Sequence, residues 1–213
     1  CALPIYTVVG MYQELIRMSK AGELDFSNTT TFNLDEYYPI CKENKQSYSY
    51  YMKDTFFNHI NIDVKNTHVP NGSAKDIEME CKVYEEKARQ AGKFDLQVLG
   101  IGSNGHIGFN EPSDAFEMVT HKADLTEKTI QDNSRFFESI EEMPREAITL
   151  GIGSIMNAKK IMLMANGTHK ARAIKETLLG KVAPQAPASI LQFHPDLTVI
   201  LDEAAGAELL KHL

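Results

Sequence analysis

Residues 99–112, LGIGSNGHIGFNEP, constrain this chain more than any other stretch. An apolar run, Phe94-Asp95-Leu96-Gln97-Val98-Leu99, leads into them, and its shortness and boundaries predict a buried strand. Gly100, Gly102, Gly105 and Gly108 follow, with His106 among them and Glu111 just beyond. Glycine admits positive φ and lets a ligand approach the backbone closely. Polar side chains on such a turn, at the carboxyl end of a strand, lie where open α/β sheets bind ligands. The stretch therefore predicts a site loop. Gly100, Gly102 and Gly105 also satisfy GxGxxG formally, but a dinucleotide site needs a helix opening there and an acid about 20 residues further on. Asn110, Glu111 and Pro112 interrupt any such helix. The remaining reading of the loop alone is a structural turn with a hydrogen-bonded histidine.

The rest of the chain sets limits on what that loop can serve. Its 213 residues suit one α/β domain spanning 1–213, with 43% hydrophobic and 24% charged residues as in an ordinary globular protein. No segment approaches the roughly 20 apolar residues of a membrane span. Residues 2–10 are apolar but carry no basic leader or cleavage signal, so secretion is not expected. The net charge of −7 argues against nucleic acid as a bulk partner, and an anionic substrate would need a local cluster of cations. Cys1, Cys41 and Cys81 are odd in number and far apart, without CxxC or Cys/His spacing. They read as free thiols in a reducing cytoplasm, with no metal site.

Taken in order, residues 10–21 predict an amphipathic helix stopped by Gly22. Residues 29–37, TTTFNLDEY, read as a strand whose carboxyl end carries Asp35 and Glu36. Residues 46–60 carry Tyr48, Tyr51, Met52, Phe56 and Phe57 at helical spacing, a packing stripe. Ser73 is the expected cap of a strongly charged, solvated helix running to about Gln90. Residues 121–144 are polar and show no clear core face, and they contain NSRFF at 133–137. Residues 147–153 and 160–165 predict further strands. A helix follows from about Thr168 to Leu179, with a turn and short helix over 184–194 and a last strand over 197–202. Lys170 in a helix's first turn opposes the helix dipole, unless an anion is shared there. The strand–helix alternation implies a doubly wound parallel sheet.

TFNLDEY, LGIGSNGHIGFNEP and NSRFF together resemble motifs of the glucosamine-6-phosphate deaminases. The resemblance implies the Rossmann-like, doubly wound, mostly parallel sheet flanked by helices of the superfamily that also contains 6-phosphogluconolactonases. It also implies a lid over about 121–146. The implied reaction turns glucosamine 6-phosphate into fructose 6-phosphate and ammonia, a hydrolase/isomerase-type step that needs no metal or organic cofactor. The resemblance makes Asp35 the enolising base and His106 the ring-opening acid–base group, with Glu111 and Asn104 tuning the histidine. Arg135 and Lys170 would hold the sugar phosphate, and Gly100 and Gly102 would line its site. Chains of the family begin with a buried strand and a TGSTP-like turn. Here only Thr7 of that turn is in place, so the resemblance implies a front that is truncated or altered.

Galactosamine 6-phosphate is an alternative substrate, and a catalytically impaired sugar-phosphate-binding fragment is an alternative state. A sugar-phosphate-sensing regulator would bring a DNA-binding segment, which this sequence does not show. Several relatives are activated by N-acetylglucosamine 6-phosphate through basic residues that align near Asp114, His121 and Ala123. An acid, a histidine and an alanine make a poor anion site, so no such activation is expected. A monomer or small homo-oligomer is.

Overall fold

The computed structural model describes residues 8–212. Thr7, Cys1 and the expectation about the first strand lie outside the described residues.

Helix α1 (Val9–Lys20) opens the described chain. The run TTTFNLDEY then splits in two, β1 (Thr31–Phe32) and β2 (Asp35–Tyr38). The break at Asn33 and Leu34 moves the chain between sheets. Asn33 N donates to His68 O at 2.8 Å beside β3 (Thr67–His68), the parallel partner of β1, whereas Leu34 O accepts from Leu150 N at 2.7 Å. From Asp35 onward the strand pairs antiparallel with β6 (Glu146–Thr149), which pairs antiparallel with β5 (His121–Asp124) on its other side. Asp35 therefore begins an antiparallel strand, where the sequence predicted the end of a parallel one.

A second three-stranded sheet is parallel, in the order β4 (Gln97–Leu99), β7 (Ile161–Ala165), β8 (Leu197–Leu201). The fold is thus α/β with parallel sheets flanked by helices. The described strands form three short sheets, one of them antiparallel, rather than one continuous parallel sheet. Among the flanking helices, α2 (Tyr48–Thr55) is capped by Ser47, whose side chain accepts from Tyr50 N. Helix α3 (Ile77–Ala91) buries Cys81, Tyr84 and Ala88, spaced as one helical face. Its cap is Asp76, which accepts from Met79 N at 3.0 Å; Ser73 instead donates its hydroxyl to Ile40 O. An acid serves here because its negative charge, like those of Glu78 and Glu80 in the first turn, lies at the positive end of the helix dipole.

The polar stretch 121–144 is less loose than its composition suggests. It supplies β5 and α4 (Glu127–Ser134), and buries Ala123, Leu125, Ile130 and Met143 in a core shared with Tyr37, Phe109 and Ala147. Those apolar residues straddle a strand, a turn and a helix, so no single period reveals them. Residues 147–153 also divide, with β6 giving way to α5 (Ile152–Met156). After β7, a 3-10 turn at Thr168–Lys170 feeds α6 (Ala171–Leu179), and α7 (Glu203–Gly206) follows β8. The largest core cluster lies around the parallel sheet, where Leu99, Ile161 and Leu163 meet Tyr84, Ile174 and Leu191.

Candidate active site

The loop after β4 folds back on itself, with Gly102 N donating to His106 O at 2.9 Å and Gly105 N to Gly102 O at 3.1 Å. The imidazole of His106 lies against the α-carbon of residue 102: a Cβ there would stand 2.4 Å from Cε1 and 2.5 Å from Nδ1. Only glycine leaves that room. Gly108 has φ of +59°, and a Cβ on it would meet Thr149 Oγ1 at 2.9 Å and Asp35 Oδ2 at 3.4 Å. The loop thus presses directly onto the first residue of β2 and the last of β6. Phe109 N donates to Thr149 Oγ1 at 3.1 Å, and Asn110 Nδ2 donates to Leu150 O at 2.9 Å. These bonds bring Asp35 and His106 to one site although their strands belong to different sheets.

Asp35 and Glu36 have separate fates because successive side chains on a strand face opposite ways. Glu36 is structural: its carboxylate accepts from Tyr37 N, Tyr48 N and Ser49 N at 2.8–3.0 Å, holding the start of α2. Burial pushes it up to about 7 against those three donors. Asp35 is 2% exposed, and its Oδ1 has no hydrogen-bond partner. Burial raises its carboxyl well above the usual range, and the charge of Glu36 adds to that rise.

His106 is held through Nδ1, 3.3 Å from Glu111 Oε2 and 3.4 Å from Thr129 Oγ1. Glu111 Oε2 also accepts from Asn104 Nδ2 at 2.7 Å, and Asn104 Oδ1 accepts from His106 N at 3.2 Å. Thr129 donates to Glu111 Oε1. Burial acts to raise the Glu111 carboxyl, but the bonds and charge from His106, with Thr129 and Asn104, hold it below its ordinary range.

A cavity of about 560 Å³ opens beside these groups, lined by Asp35, Gly100, Gly102, His106, Arg135 and Lys170 among others. Asn104 and Glu111 stand behind the imidazole. Lys170 precedes α6, and burial pulls its amine down to about 8 while Asp132 opposes that fall. Arg135, at the end of α4, lies over the Phe136 ring at 4.9 Å. Lys128, paired with Asp132, adds a further cation to the lining.

Several residues here carried no legible signal in the sequence. Thr126 and Thr129 fall in the polar stretch 121–144, which shows no clear core face, yet both reach Glu111. Asp132 accepts from Ser103 Oγ at 2.6 Å, tying the glycine loop to α4. Tyr48 belongs to the aromatic packing stripe and also lines the cavity, stacked on Tyr37 at 5.2 Å.

Behind Glu111 lies a second cavity of about 360 Å³, which includes His121 and Ala123 together with Glu78, Glu117 and Asp124. Four acids, Glu78, Glu111, Glu117 and Asp124, line it against one lysine, Lys122, and this balance disfavours an anion.

Comparison with known proteins places these residues in context. The family model for glucosamine-6-phosphate isomerases/6-phosphogluconolactonase matches residues 6–199. The glucosamine-6-phosphate deaminase of Halothermothrix orenii is 57% identical over 203 residues, 95% of this chain and 84% of that protein. That of Thermoanaerobacter pseudethanolicus is 57% identical over 201 residues, covering 94% and 79%. Among solved structures, a monomeric glucosamine-6-phosphate deaminase superposes with a TM-score of 0.91 at 44% identity, covering 94% of this chain and 83% of its own. A 6-phosphogluconolactonase from Thermotoga maritima shares the fold, with a TM-score of 0.69 at 20% identity over 92% of this chain and 80% of its own.

Proposed function

The chain belongs to the glucosamine-6-phosphate isomerase/6-phosphogluconolactonase family, and we propose that it converts glucosamine 6-phosphate to fructose 6-phosphate and ammonia. The observation that carries this reading is one cavity lined by a buried carboxylate, Asp35, a carboxylate-backed imidazole, His106, and the cations Arg135 and Lys170. Identity of 57% to two curated deaminases supports the substrate.

The phosphate sits against Arg135 and Lys170. The guanidinium offers a planar fork to two phosphate oxygens and the amine a compact charge. Gly100 and Gly102 leave room for the sugar along the loop. Holding the far end of the substrate turns binding energy into orientation of C1 and C2. His106 then takes the proton of the anomeric hydroxyl and returns one to the ring oxygen, opening the sugar, a task suited to imidazole near neutral pH. Asp35 removes the C2 proton, giving an enolamine, and delivers a proton to C1. Burial makes it a stronger base than a solvated carboxylate. Water adds to the resulting C2 imine and ammonia leaves, so one water is consumed for each ammonia released. The scheme draws on no metal or organic cofactor.

The working unit in this reading is a monomer or small homo-oligomer in the cytoplasm, in keeping with the monomeric deaminase of similar structure and with the free thiols of Cys41 and Cys81. Residues 121–146 act as its lid only from α4 onward, since β5 is paired along its length with β6.

Ammonia release from glucosamine 6-phosphate by the full chain tests the proposal, with Asp35→Asn alongside. Turnover that disappears in the variant supports both reaction and base. A folded chain that releases no ammonia from this sugar, or an Asp35→Asn variant with intact turnover, overturns it. Galactosamine 6-phosphate under the same conditions separates the two epimers.

A further inference from the structure

We propose that Thr129 is a positioning residue for this reaction: its hydroxyl, wedged between Glu111 and His106, fixes the imidazole in the Nδ1–H form and leaves Nε2 as the proton acceptor. The proposal rests on His106 being the acid–base group, but its first test needs no substrate.

Thr129 is 2% exposed and sits in the first turn of α4, directly over the His106–Glu111 pair. Its Oγ1 meets three polar groups: Glu111 Oε1, Thr126 Oγ1 at 3.1 Å and His106 Nδ1 at 3.4 Å. A hydroxyl has one proton and two lone pairs. Glu111 is held below the ordinary carboxylate range, so it is ionised near neutral pH and only accepts. The single proton of Thr129 therefore goes to Oε1, and what Thr129 presents to Nδ1 is a lone pair. The other group facing Nδ1 is Glu111 Oε2 at 3.3 Å, also an acceptor. With two acceptors facing it, Nδ1 must carry the proton, and a neutral ring then has its lone pair on Nε2.

Glu111 alone would not secure this arrangement. Both of its oxygens are potential partners for Nδ1, and rotation of the carboxylate would exchange them. Thr129 occupies Oε1, while Asn104 Nδ2 at 2.7 Å holds Oε2 on the histidine's side. The hydroxyl thus sets the carboxylate's rotation as well as the ring's protonation. A merely structural threonine would need its methyl and its helix position, not its proton.

The test compares the full-length chain with Thr129→Val, which keeps the shape and removes the hydroxyl, and Thr129→Ser, which keeps the hydroxyl. Imidazole nitrogen chemical shifts of His106 are read without substrate, then the pH dependence of kcat and KM. The unsubstituted chain and Thr129→Ser are expected to show His106 as the Nδ1–H tautomer, and Thr129→Val a mixture with Nε2–H. Loss of correctly presented acid–base catalysis should lower kcat about 10- to 100-fold in Thr129→Val, with KM changed less than about threefold and Thr129→Ser recovering most of kcat. An Nε2–H tautomer in the unsubstituted chain overturns the proposal, whatever the variants do. So does a Thr129→Val ring indistinguishable from the original, or a Thr129→Ser variant as impaired as Thr129→Val. Because the tautomer is read without sugar, failure of the proposed substrate leaves this result intact and the two failures are distinct.

Discussion

Gly102→Ala puts the geometry behind His106 to a quantitative test. The backbone at 102 lies outside the left-handed region, so alanine suits its conformation and the effect is steric. The added Cβ would lie 2.4 Å from Cε1, 2.5 Å from Nδ1 and 2.6 Å from Nε2 of His106. Comfortable carbon contacts begin near about 3.5 Å, so the ring must retreat by about 1 Å. Nδ1 stands 3.3 Å from Glu111 Oε2, so a shift of that size disrupts the contact that orients the ring. Displacing a catalytic group by about 1 Å costs on the order of 100-fold in rate. Overpacking of this kind also costs ~1–3 kcal/mol of stability. For a chain of this size, each kcal/mol lowers Tm by roughly 2–4 °C. Ammonia release and thermal melting read the two effects. Gly105→Ala is the control, because φ there is +88° and the nearest atom to a Cβ is 3.8 Å away. It should lose about 1–2 kcal/mol to backbone strain alone, with a far smaller loss of kcat. A Gly102→Ala enzyme within threefold of the original kcat would refute the packing argument.

Asp35→Asn should abolish turnover and yet stabilise the fold at pH 8 by about 1–2 kcal/mol, since it relieves a buried carboxylate whose Oδ1 has no hydrogen-bond partner. The sign follows from its raised pKa: the unfolded chain ionises first, so stability drains from the original protein as pH climbs from the unfolded value toward the folded one. The gain should vanish near pH 3, where the acid is neutral in both states, and melting curves at the two pH values would show a pH-independent shift if burial is not the cause. With Lys170 at about 8, kcat/KM should fall as pH rises through that value, because the uncharged amine no longer holds phosphate. Asp132→Asn removes the charge that supports the ammonium and should move this limb to lower pH; a limb that stays in place contradicts the assignment. Titration with N-acetylglucosamine 6-phosphate should leave the initial rate at low substrate unchanged, given the acids lining the cavity behind Glu111, and a clear rise in apparent affinity would contradict this.

What was legible in the sequence is what lies close together along it. Gly102, Asn104, His106 and Glu111 fall within one short loop, and their mutual contacts follow from the turn that those glycines permit. Helix α1 announces itself through periodicity, α3 through its charge run, and strands β7 and β8 through short apolar runs, because burial imposes a pattern on consecutive residues. The split of TTTFNLDEY was not legible, since it depends on which strands lie beside it: Asn33 follows β3 and Leu34 follows β6. That register turns Asp35 toward the cavity and Glu36 toward the start of α2, a choice two adjacent acids cannot express themselves. Thr129 and Asp132 likewise resemble ordinary helix residues until α4 is laid across the loop. The sequence by itself determined the local turn, its reactive side chains and the class of fold. Only the tertiary structure decided which carboxylate is buried with an oxygen left unpartnered, which hydroxyl meets the imidazole and which cations share a cavity. Each of those depends on burial and register between segments far apart in the chain, and no local pattern encodes them.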